Sequence, residues 1–409
     1  MTAKIPKLRF VEFSDEENKS YIKHSFSDIF LFSTGKNIKQ NEASPDFETP
    51  CVRYGELYYM YNEVITKIFN KTNLDKSELL LSKGDEILLP SAGEDPIDIG
   101  SASALTIENV AIGRTINILK PFKDNVYSQI YVAYYINHKL RKKISSLAKG
   151  SSISNVYNSD LKTLEITLPT LAEQTKIAKF LTAVDEKIQS LKEKKCLLEE
   201  YKKGLMQKIF SQQIRFKQED GSDFPEWEEK SLGSFFQERN ESPKEDLPLF
   251  SLTIENGIVA KSDRYERSFL VNDLENAYKV IHVNDFAFNP MNLRFGALAR
   301  NKNKLNGLVS KYYNVFYCLE NCCIPYMEYY LTSYNMIQYY NKMSTGSLIE
   351  KKRVHYLDFI NFKKLIPVIE EQQKIASFLT SIDEKIEKVG HQIVDVQTFK
   401  KGLLQQMFL

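Results

Sequence analysis

One 42-residue segment occurs twice in this chain of 409 residues. Residues 169–210 read PTLAEQTKIAKFLTAVDEKIQSLKEKKCLLEEYKKGLMQKIF, and residues 367–408 read PVIEEQQKIASFLTSIDEKIEKVGHQIVDVQTFKKGLLQQMF. The copies align without a gap at an offset of 198, and 19 positions are identical. A match of this length indicates an internal duplication, so the chain needs the same element at two places.

Each copy has the pattern of a long coiled-coil helix. Apolar residues recur in alternating steps of three and four, and no proline follows the first residue of either copy. Such a helix of about 40 residues extends about 60 Å. Thr170 and Glu173 have the spacing of a capping box, whereas Val368 cannot cap the second helix. The predicted seam residues are Leu181, Val184, Ile188, Leu191, Leu379, Ile382, Ile386, Val389 and Ile393.

Chain connectivity favours an antiparallel pair over the alternative, in which each helix packs separately on its own domain. The intervening segment of about 150 residues is expected to fold into a domain with a radius of gyration near 15 Å. Such a domain joins adjacent helix ends more easily than ends about 60 Å apart. We therefore expect a dumbbell, with a pseudo-two-fold axis crossing the middle of the paired helices.

The globular arms are also weakly duplicated. KGDEILLP at 83–90 resembles VNDFAFNP at 283–290, and LRF at 8–10 resembles IRF at 214–216. Short β-rich runs such as EILLP, TINILKPF, DFAFNP and YYNVFYCL mix with helical stretches at 130–143 and 325–341. The predicted fold class is α+β, with two globular α+β domains separated by a long antiparallel two-helix coiled coil. The predicted boundaries are 1–167, 168–212, 213–365 and 366–409.

The composition bears on the cellular location of the protein, the state of its cysteines and its possible partners. No apolar run reaches the length of a spanning helix, and the first residues lack the apolar region of a signal peptide, so we expect a cytoplasmic protein. The five cysteines have neither a disulfide framework nor a zinc spacing, and we interpret them as reduced thiols. A net charge of +2 neither requires nor excludes a polyanionic partner.

Catalytic motifs are incomplete. NPMN at 289–292 shares only its first half with the Asn-Pro-Pro-aromatic motif of adenine-specific DNA methyltransferases, and no glycine-rich cofactor loop follows a strand. STGKN at 33–37 lacks the upstream glycine of a phosphate-binding loop, and the scattered histidines have no metal-ligand spacing. We predict neither catalytic residues nor metal ligands.

Basic residues cluster with polar and aromatic neighbours in both arms, which favours contacts to phosphates and base edges. Residues 291–311 contain five cations and no acid, and residues 49–61 interleave an arginine with four tyrosines. The predicted DNA-binding residues are Lys36, Arg53, Tyr54, Tyr58, Tyr59, Ser91, Lys142, Lys143, Asn289, Asn292, Arg294, Arg300, Lys302, Lys304 and Lys352. Two such readers at a fixed distance can recognise a split DNA sequence.

The two copies of Pro-x-x-x-Glu-Gln-x-x-Ile-Ala, at 169–178 and 367–376, resemble the helical regions of specificity subunits of Type I restriction-modification systems. The resemblance covers the whole chain. It implies a non-catalytic subunit with two target-recognition domains, each reading half of a bipartite double-stranded DNA site, and helices that set the spacer and bind two modification (methyltransferase) subunits. It also implies S-adenosylmethionine on those subunits, and ATP and magnesium on two restriction subunits if present, with no cofactor on this chain alone. The implied subunit-interface or coil residues are Glu173, Gln174, Phe180, Glu371, Gln372 and Phe378.

Two other functions stay open at this point. NPMN leaves a self-contained adenine-specific DNA methyltransferase as a rival, and the helices alone are compatible with a coiled-coil scaffold that binds no DNA.

Overall fold

The computed structural model describes residues 5–14, 21–244, 246–261 and 277–408. The chain divides into two compact units, one formed by 1–192 with 391–409 and the other by 193–390. Each unit contains both helices and strands, so the predicted α+β class is confirmed. The division crosses both long helices, whereas the boundaries predicted from the sequence treated the helices as separate segments.

The two long helices span Leu171–Phe210 and Ile369–Met407. At the start of the first, the backbone N–H of Glu173 donates to Thr170 Oγ1 at 3.4 Å, which is one half of the expected capping box. The next residue bonds to the chain just before the helix, because Gln174 Nε2 donates to the carbonyl of Pro169 at 2.9 Å. Gln372 repeats this contact with Pro367 at 3.0 Å.

The course of the helices through the units shows that they run in opposite directions. The first helix begins in the first unit and ends in the second, and the other helix begins in the second unit and ends in the first. Within the first unit, Ile177, Leu181 and Ile188 join Leu403 and Met407 in one apolar core. Within the first unit, the two long helices therefore pack against each other in opposite directions, as predicted.

The described residues of the first unit form thirteen short strands. A five-stranded sheet has the order β2-β11-β7-β9-β4, and a four-stranded sheet has the order β5-β3-β10-β6. Two-stranded pairs join β1 to β13 and β8 to β12. The strands are β1 Ile22–Ser25, β2 Phe30–Thr34, β3 Thr49–Val52, β4 Val64–Ile65, β5 Asn70–Thr72, β6 Leu81–Lys83, β7 Glu86–Pro90, β8 Ala92–Gly93, β9 Ser103–Leu105, β10 Glu108–Ile112, β11 Ile116–Pro121, β12 Ser154–Asn155 and β13 Glu165–Leu168.

Short helices connect these strands. The predicted helix over 130–143 is observed as two α-helices flanking a π-helical turn at Ile136–Leu140. Phe408, just beyond the second long helix, packs its ring 5.1 Å from that of Tyr131 on the first of these helices. The α-helices are Phe26–Ile29, Glu56–Tyr59, Pro96–Ile99, Gln129–Tyr135, Arg141–Ser146 and Asn158–Leu161.

In the described part of the second unit there are ten strands. They form a four-stranded sheet of order β15-β22-β19-β20 and the pairs β14-β23, β16-β17 and β18-β21. The α-helices Ile324–Leu331 and Tyr334–Met343 replace the single helix predicted over 325–341, and Tyr356–Ile360 follows them. The strands are β14 Glu228–Ser231, β15 Phe236–Arg239, β16 Phe250–Thr253, β17 Gly257–Ala260, β18 Tyr278–Ile281, β19 Phe286–Phe288, β20 Leu298–Arg300, β21 Gly307–Ser310, β22 Asn314–Cys318 and β23 Lys363–Ile366.

The described strands of the second unit repeat most of the topology of the first. The order β15-β22-β19-β20 repeats β2-β11-β7-β9, and β14 pairs with β23 as β1 pairs with β13. A parallel bridge from Leu249 to Leu308, at the starts of β16 and β21, corresponds to the parallel pairing of β3 with β10. The duplication detected weakly in the arms therefore extends through both sheets, although most of the sequence has diverged.

A buried ion pair attaches the first long helix to the start of the chain. Arg9 Nε and Nη2 donate to the two carboxylate oxygens of Glu173 at 2.8 and 2.6 Å, and the Tyr21 hydroxyl donates to the same carboxylate at 3.2 Å. The carboxylate of Glu173 is fully buried. The ring of Phe10 also packs edge-on against Phe180, at 5.7 Å.

The second unit repeats this anchor at the other long helix. Arg215 Nη2 donates to the buried carboxylate of Glu371 at 3.0 Å, and Trp227 Nε1 takes the place of the tyrosine hydroxyl at 3.1 Å. Phe216 packs edge-on against Phe378 at 5.4 Å. The short likeness between LRF and IRF therefore marks the arginine that pairs with the duplicated glutamate and the phenylalanine that packs on the duplicated phenylalanine.

In each unit, a lysine of one long helix also forms an ion pair with an aspartate of the other. In the first unit Lys400 Nζ lies 2.7 Å from Asp185 and 3.2 Å from Glu63, and the Tyr134 hydroxyl donates to Asp185 at 2.5 Å. Burial lowers the pKa of Lys400, but the two carboxylates outweigh it and raise that pKa above its ordinary value.

The equivalent contact in the second unit joins Lys202 to Asp383 at 2.6 Å, and the Tyr329 hydroxyl donates to Asp383 at 2.6 Å. Asp383 and Lys202 are the counterparts of Asp185 and Lys400 at the offset of 198. The same residue pair therefore fixes the helix register twice, with the aspartate and the lysine exchanged between the helices.

Arg9→Ala is expected to destabilise the protein by about 3–5 kcal/mol, because it leaves the buried Glu173 carboxylate without its counter-charge. Lys23→Ala is the control, since its ion pair with Glu165 is mostly exposed and is expected to contribute less than about 1 kcal/mol. Urea denaturation followed by circular dichroism measures both changes. Equal losses in the two variants would contradict the role of the anchor.

Candidate nucleic-acid interface

Four segments of the first unit meet at one end of its sheets. The Lys36 and Gly113 N–H groups donate to the carbonyls of Ile112 and Val52, at 2.9 and 2.8 Å. The Ser91 N–H donates to the carbonyl of Thr115, also at 2.9 Å. These bonds place Lys36, the segment that follows β3, the end of β7 and the β10–β11 turn on one surface.

A cleft of about 440 Å³ opens on this surface. It is lined by three cations, two exposed tyrosines and several polar or apolar groups, which is a composition suited to phosphates and bases. The lining residues are Ile38, Lys39, Gln40, Arg53, Tyr54, Gly55, Glu56, Tyr59, Met60 and Arg114. We call it the Arg114 cleft.

Arg53 is held in the cleft by a buried carboxylate. Glu56, which is 3% exposed, accepts from Arg53 Nε at 2.8 Å, from the Arg53 N–H at 3.2 Å and from Asn70 Nδ2 at 3.1 Å. Arg53 therefore keeps a fixed orientation, while part of its charge is neutralised within the chain.

The three tyrosines predicted to bind DNA have different surroundings. Tyr59 is 85% exposed and Tyr54 is 40% exposed, so both rings can reach a ligand. Tyr58 is half-buried and its hydroxyl donates to the carbonyl of Ala92, and burial raises the pKa of Tyr58. Tyr58 thus connects the cleft to the segment after Ser91.

The sequence predicted only Arg53, Tyr54 and Tyr59 among the cleft residues; the polar side chains that it missed are Lys39, Gln40, Glu56 and Arg114. Arg114 occupies the turn between β10 and β11, and its N–H donates to the carbonyl of Asn37 at 2.9 Å. The sequence feature that could have identified Arg114 is a basic residue in a Gly-Arg-Thr turn between two apolar runs. The other residues of its cleft come from distant parts of the chain, so the sequence does not show that they surround it.

The backbone beside the cleft has unusual conformations. Ile38 has φ 56° and Thr115 has φ 67°, in the left-handed region that β-branched residues rarely adopt. Such residues cost roughly 1–3 kcal/mol each and persist only where their surroundings impose them. They are the only β-branched residues at positive φ in the described part of the chain.

Lys142 and Lys143 do not line the cleft. They lie on the exposed side of the helix Arg141–Ser146. The pKa of Glu165 is lowered chiefly by Lys23 and to a smaller extent by Lys143, so Lys143 lies near that carboxylate. The predicted residues of the first unit therefore fall into two separate groups.

In the second unit, Asn289 shapes a turn. Its Oδ1 accepts from the N–H groups of Met291 and Asn292 at 3.0 and 3.4 Å, so NPMN is a capped turn in which Asn292 is exposed. The Arg294 guanidinium lies 4.1 Å from the ring centroid of Phe295, and its buried Nε has no hydrogen-bond partner among the described residues.

Lys352 lies on a neighbouring loop. The N–H of Val354 donates to the carbonyl of Pro290 at 3.0 Å, which places residues 351–353 beside the Asn289 turn. Asn289, Asn292, Arg294 and Lys352 therefore share one region of the second unit.

The remaining predicted DNA-binding cations of this unit are Arg300, Lys302 and Lys304. Two of them lie beside an acidic side chain, which makes them less available to DNA than the sequence indicated. Arg300 Nε lies 2.9 Å and Lys302 Nζ 2.5 Å from the carboxylate of Glu328, so one acid offsets part of both charges. They lie at the opposite end of the β19–β20 hairpin from the Asn289 turn. Lys304 is exposed.

Burial conflicts with the predicted role of the Glu-Gln pairs at a subunit interface. Glu173, Gln174, Glu371 and Gln372 are at most 1% exposed, and their side chains bond within their own unit. A partner cannot reach these polar groups while the unit stays folded. Their observed role is to hold the long helices to the globular parts.

The other predicted helix residues have mixed exposure. Phe180 is partly buried against the ring of Phe10, and Phe378 is partly buried against the ring of Phe216. Ile386 and Ile393 are half-buried. Buried seam residues are Leu181, Val184, Ile188, Leu191, Leu379, Ile382 and Val389.

Among the described residues, no group of three histidine, cysteine, aspartate or glutamate side chains could hold a metal ion. All five cysteines are free thiols; Cys51 and Cys322 are buried and Cys196 is exposed. No helix in the described ranges is both long enough and apolar enough to cross a membrane.

Comparison with known families identifies the chain. The family of Type I restriction modification DNA specificity domains matches residues 19–200 and again 225–394, well over half of the sequence. The chain belongs to this family. It is a DNA specificity subunit of the type I restriction-modification class, and the two matches correspond to its two halves.

Individual relatives agree with this assignment. The type I restriction enzyme MjaVIII specificity subunit of Methanocaldococcus jannaschii is 24% identical over 380 residues, covering 85% of this chain and 82% of the relative. The EcoKI specificity subunit of Escherichia coli is 27% identical over 144 residues, 35% of this chain and 31% of the relative.

Solved structures show the same fold. The S subunit of a type I restriction-modification system from M. genitalium has a TM-score of 0.60 at 15% identity, covering 99% of both chains. A chain from a study of complex assembly and conformational transition of the type I system has a TM-score of 0.54 at 13% identity, covering 95% of this chain and 97% of the other.

Lys36→Ala is expected to weaken DNA binding by a similar factor for every duplex and to reduce the salt slope of log K by about one. The reason is that the exposed ammonium group lies beside the cleft and can contact a phosphate. The control is Lys123→Ala, which removes an exposed charge beyond the other end of β11 and is expected to leave binding unchanged. Fluorescence anisotropy of the assembled complex at several salt concentrations measures both, and equal effects would contradict the placement.

Proposed function

We propose that each unit of this specificity subunit reads one half of a bipartite double-stranded DNA site, and that the two halves differ in sequence. The observation that carries this proposal is a shared topology with unlike surfaces. The first unit presents the Arg114 cleft, whereas the second presents the region of Asn289, Asn292, Arg294 and Lys352. Different side chains on one scaffold favour different base sequences.

We also propose that the long helices bind two modification subunits, one at each of two equivalent surfaces. Tyr201 and Phe399 occupy equivalent positions at the offset of 198, and their side chains are 56% and 54% exposed. Leu197 and Val394 expose further apolar area nearby on the same helices, at 65% and 58%. Exposed aromatic residues of this kind are typical anchors of protein interfaces.

The proposal assigns catalysis to the partners. S-adenosylmethionine binds the modification subunits, and ATP and magnesium bind restriction subunits if these are present. This chain provides the DNA sequence specificity of the complex, in the cytoplasm. The two rival functions have less support. The NPMN turn is built around hydrogen bonds of Asn289, and a scaffold without DNA binding has no need for the cationic cleft.

The test is to express the chain with its modification subunits and map methylated adenines by long-read sequencing. The expected result is one motif with two specified halves and an unspecified gap. A continuous motif, or methylation of every sequence alike, would contradict the proposal. Incubation of the purified chain with DNA and labelled S-adenosylmethionine is expected to give no methyl transfer, and transfer without a partner would favour the methyltransferase alternative.

Tyr201→Ser and Phe399→Ser are each expected to remove one modification subunit, because each deletes the aromatic anchor of one of two equivalent surfaces. The double variant is expected to remove both. Light scattering of the purified complex measures the stoichiometry. Leu357→Ser is the control, since that residue is 70% exposed on a short helix rather than a long one. Full complexes with the double variant would contradict this placement.

A further inference from the structure

Arg114 differs from the other cations of its cleft. Arg53 is bonded to Glu56, and Lys39 lies 3.9 Å from Glu42. The exposed guanidinium of Arg114 has no ion pair and no side-chain hydrogen bond among the residues that the structure describes. Its full set of donors is therefore available to a ligand.

The backbone that presents Arg114 is fixed from several sides. The Gly113 N–H donates to Val52, the Arg114 N–H donates to Asn37, and the Thr115 carbonyl accepts from Ser91. Gly35 packs so closely that a Cβ there would come within 1.9 Å of the Gly113 carbonyl oxygen, so only glycine fits. Arg114 thus projects from a turn that cannot shift without disturbing these contacts.

The unusual φ angles lie at this turn. Thr115 follows Arg114, and Ile38 follows Asn37, whose carbonyl accepts from the Arg114 N–H. Conformations of this type tend to occur at ligand-binding sites, where the surrounding structure holds them for function. Here they set the direction in which the Arg114 side chain leaves the surface.

These observations lead to one assignment, which rests on the proposed function. We infer that Arg114 reads a guanine in the half-site recognised by the first unit. An unpaired guanidinium on a fixed backbone can donate two parallel hydrogen bonds to guanine O6 and N7, and this is the commonest base-specific contact of proteins with DNA. The tyrosines of the cleft supply neighbouring polar and apolar contact.

The second unit carries different residues at the same place in the fold. Its turn between β21 and β22 consists of Lys311, Tyr312 and Tyr313, where the first unit has Gly113, Arg114 and Thr115. Tyr312 is 45% exposed. Neither a lysine nor a tyrosine has the planar fork of an arginine, so the guanine contact is assigned to the first unit alone.

The test measures base discrimination by the assembled complex. Once methylation mapping has given the motif, each base pair of the site is substituted in turn and the dissociation constants are compared. For the unmodified chain, replacing one guanine in one half-site is expected to weaken binding by about 10- to 100-fold. Arg114→Ala is expected to abolish the discrimination at that position and to leave the other half-site unchanged.

Two further variants separate a base contact from a phosphate contact. Arg114→Lys keeps the charge and is expected to retain the salt slope while losing the guanine preference. Lys123→Ala is expected to change neither quantity. The assignment is overturned if Arg114→Ala keeps every base preference, or if it weakens all duplexes equally with a lower salt slope. A complex of the unmodified chain that shows no split-site preference would instead overturn the proposed function itself.

Discussion

A buried arginine–glutamate ion pair attaches each long helix to its globular unit, and the rest of the arrangement depends on it. Glu173 and Glu371 are fully buried, so each carboxylate needs the guanidinium of Arg9 or Arg215 as its counter-charge. The bidentate geometry of Arg9 also fixes an orientation, which a single apolar contact cannot do. Each helix therefore leaves its unit in a defined direction.

The lysine–aspartate contacts add a second constraint, on the register of the helices. Lys400 meets Asp185 and Lys202 meets Asp383, so each helix supplies the acid once and the base once. An antiparallel pair built from two copies of one sequence has this property naturally. The duplication is thus consistent with the two proposed DNA-reading units and with the two equivalent surfaces proposed for modification subunits.

Local patterns in the sequence predicted the long helices, the α+β class and several strands, because these depend on periodicity and on residues close in the chain. The seam and the positions of Arg53, Tyr54 and Tyr59 on a surface also followed from such patterns. The role of Glu173 and Gln174 did not. Their partners Arg9 and Ser128 are far away in sequence, so burial and charge pairing became visible only in the fold. Arg114 was missed for the same reason, since its cleft is assembled from three separate segments.

We proposed that the two units read the two halves of a split DNA site, and changing the length of the long helices tests this most directly. Seven residues of helical sequence are inserted after Lys192 and seven before His391, where the division between the units crosses the helices. Because seven residues lengthen a helix by about 10 Å, the gap in the methylated motif is predicted to grow by about three base pairs, with both half-sites unchanged. An unchanged gap in a complex that still methylates DNA would contradict the account.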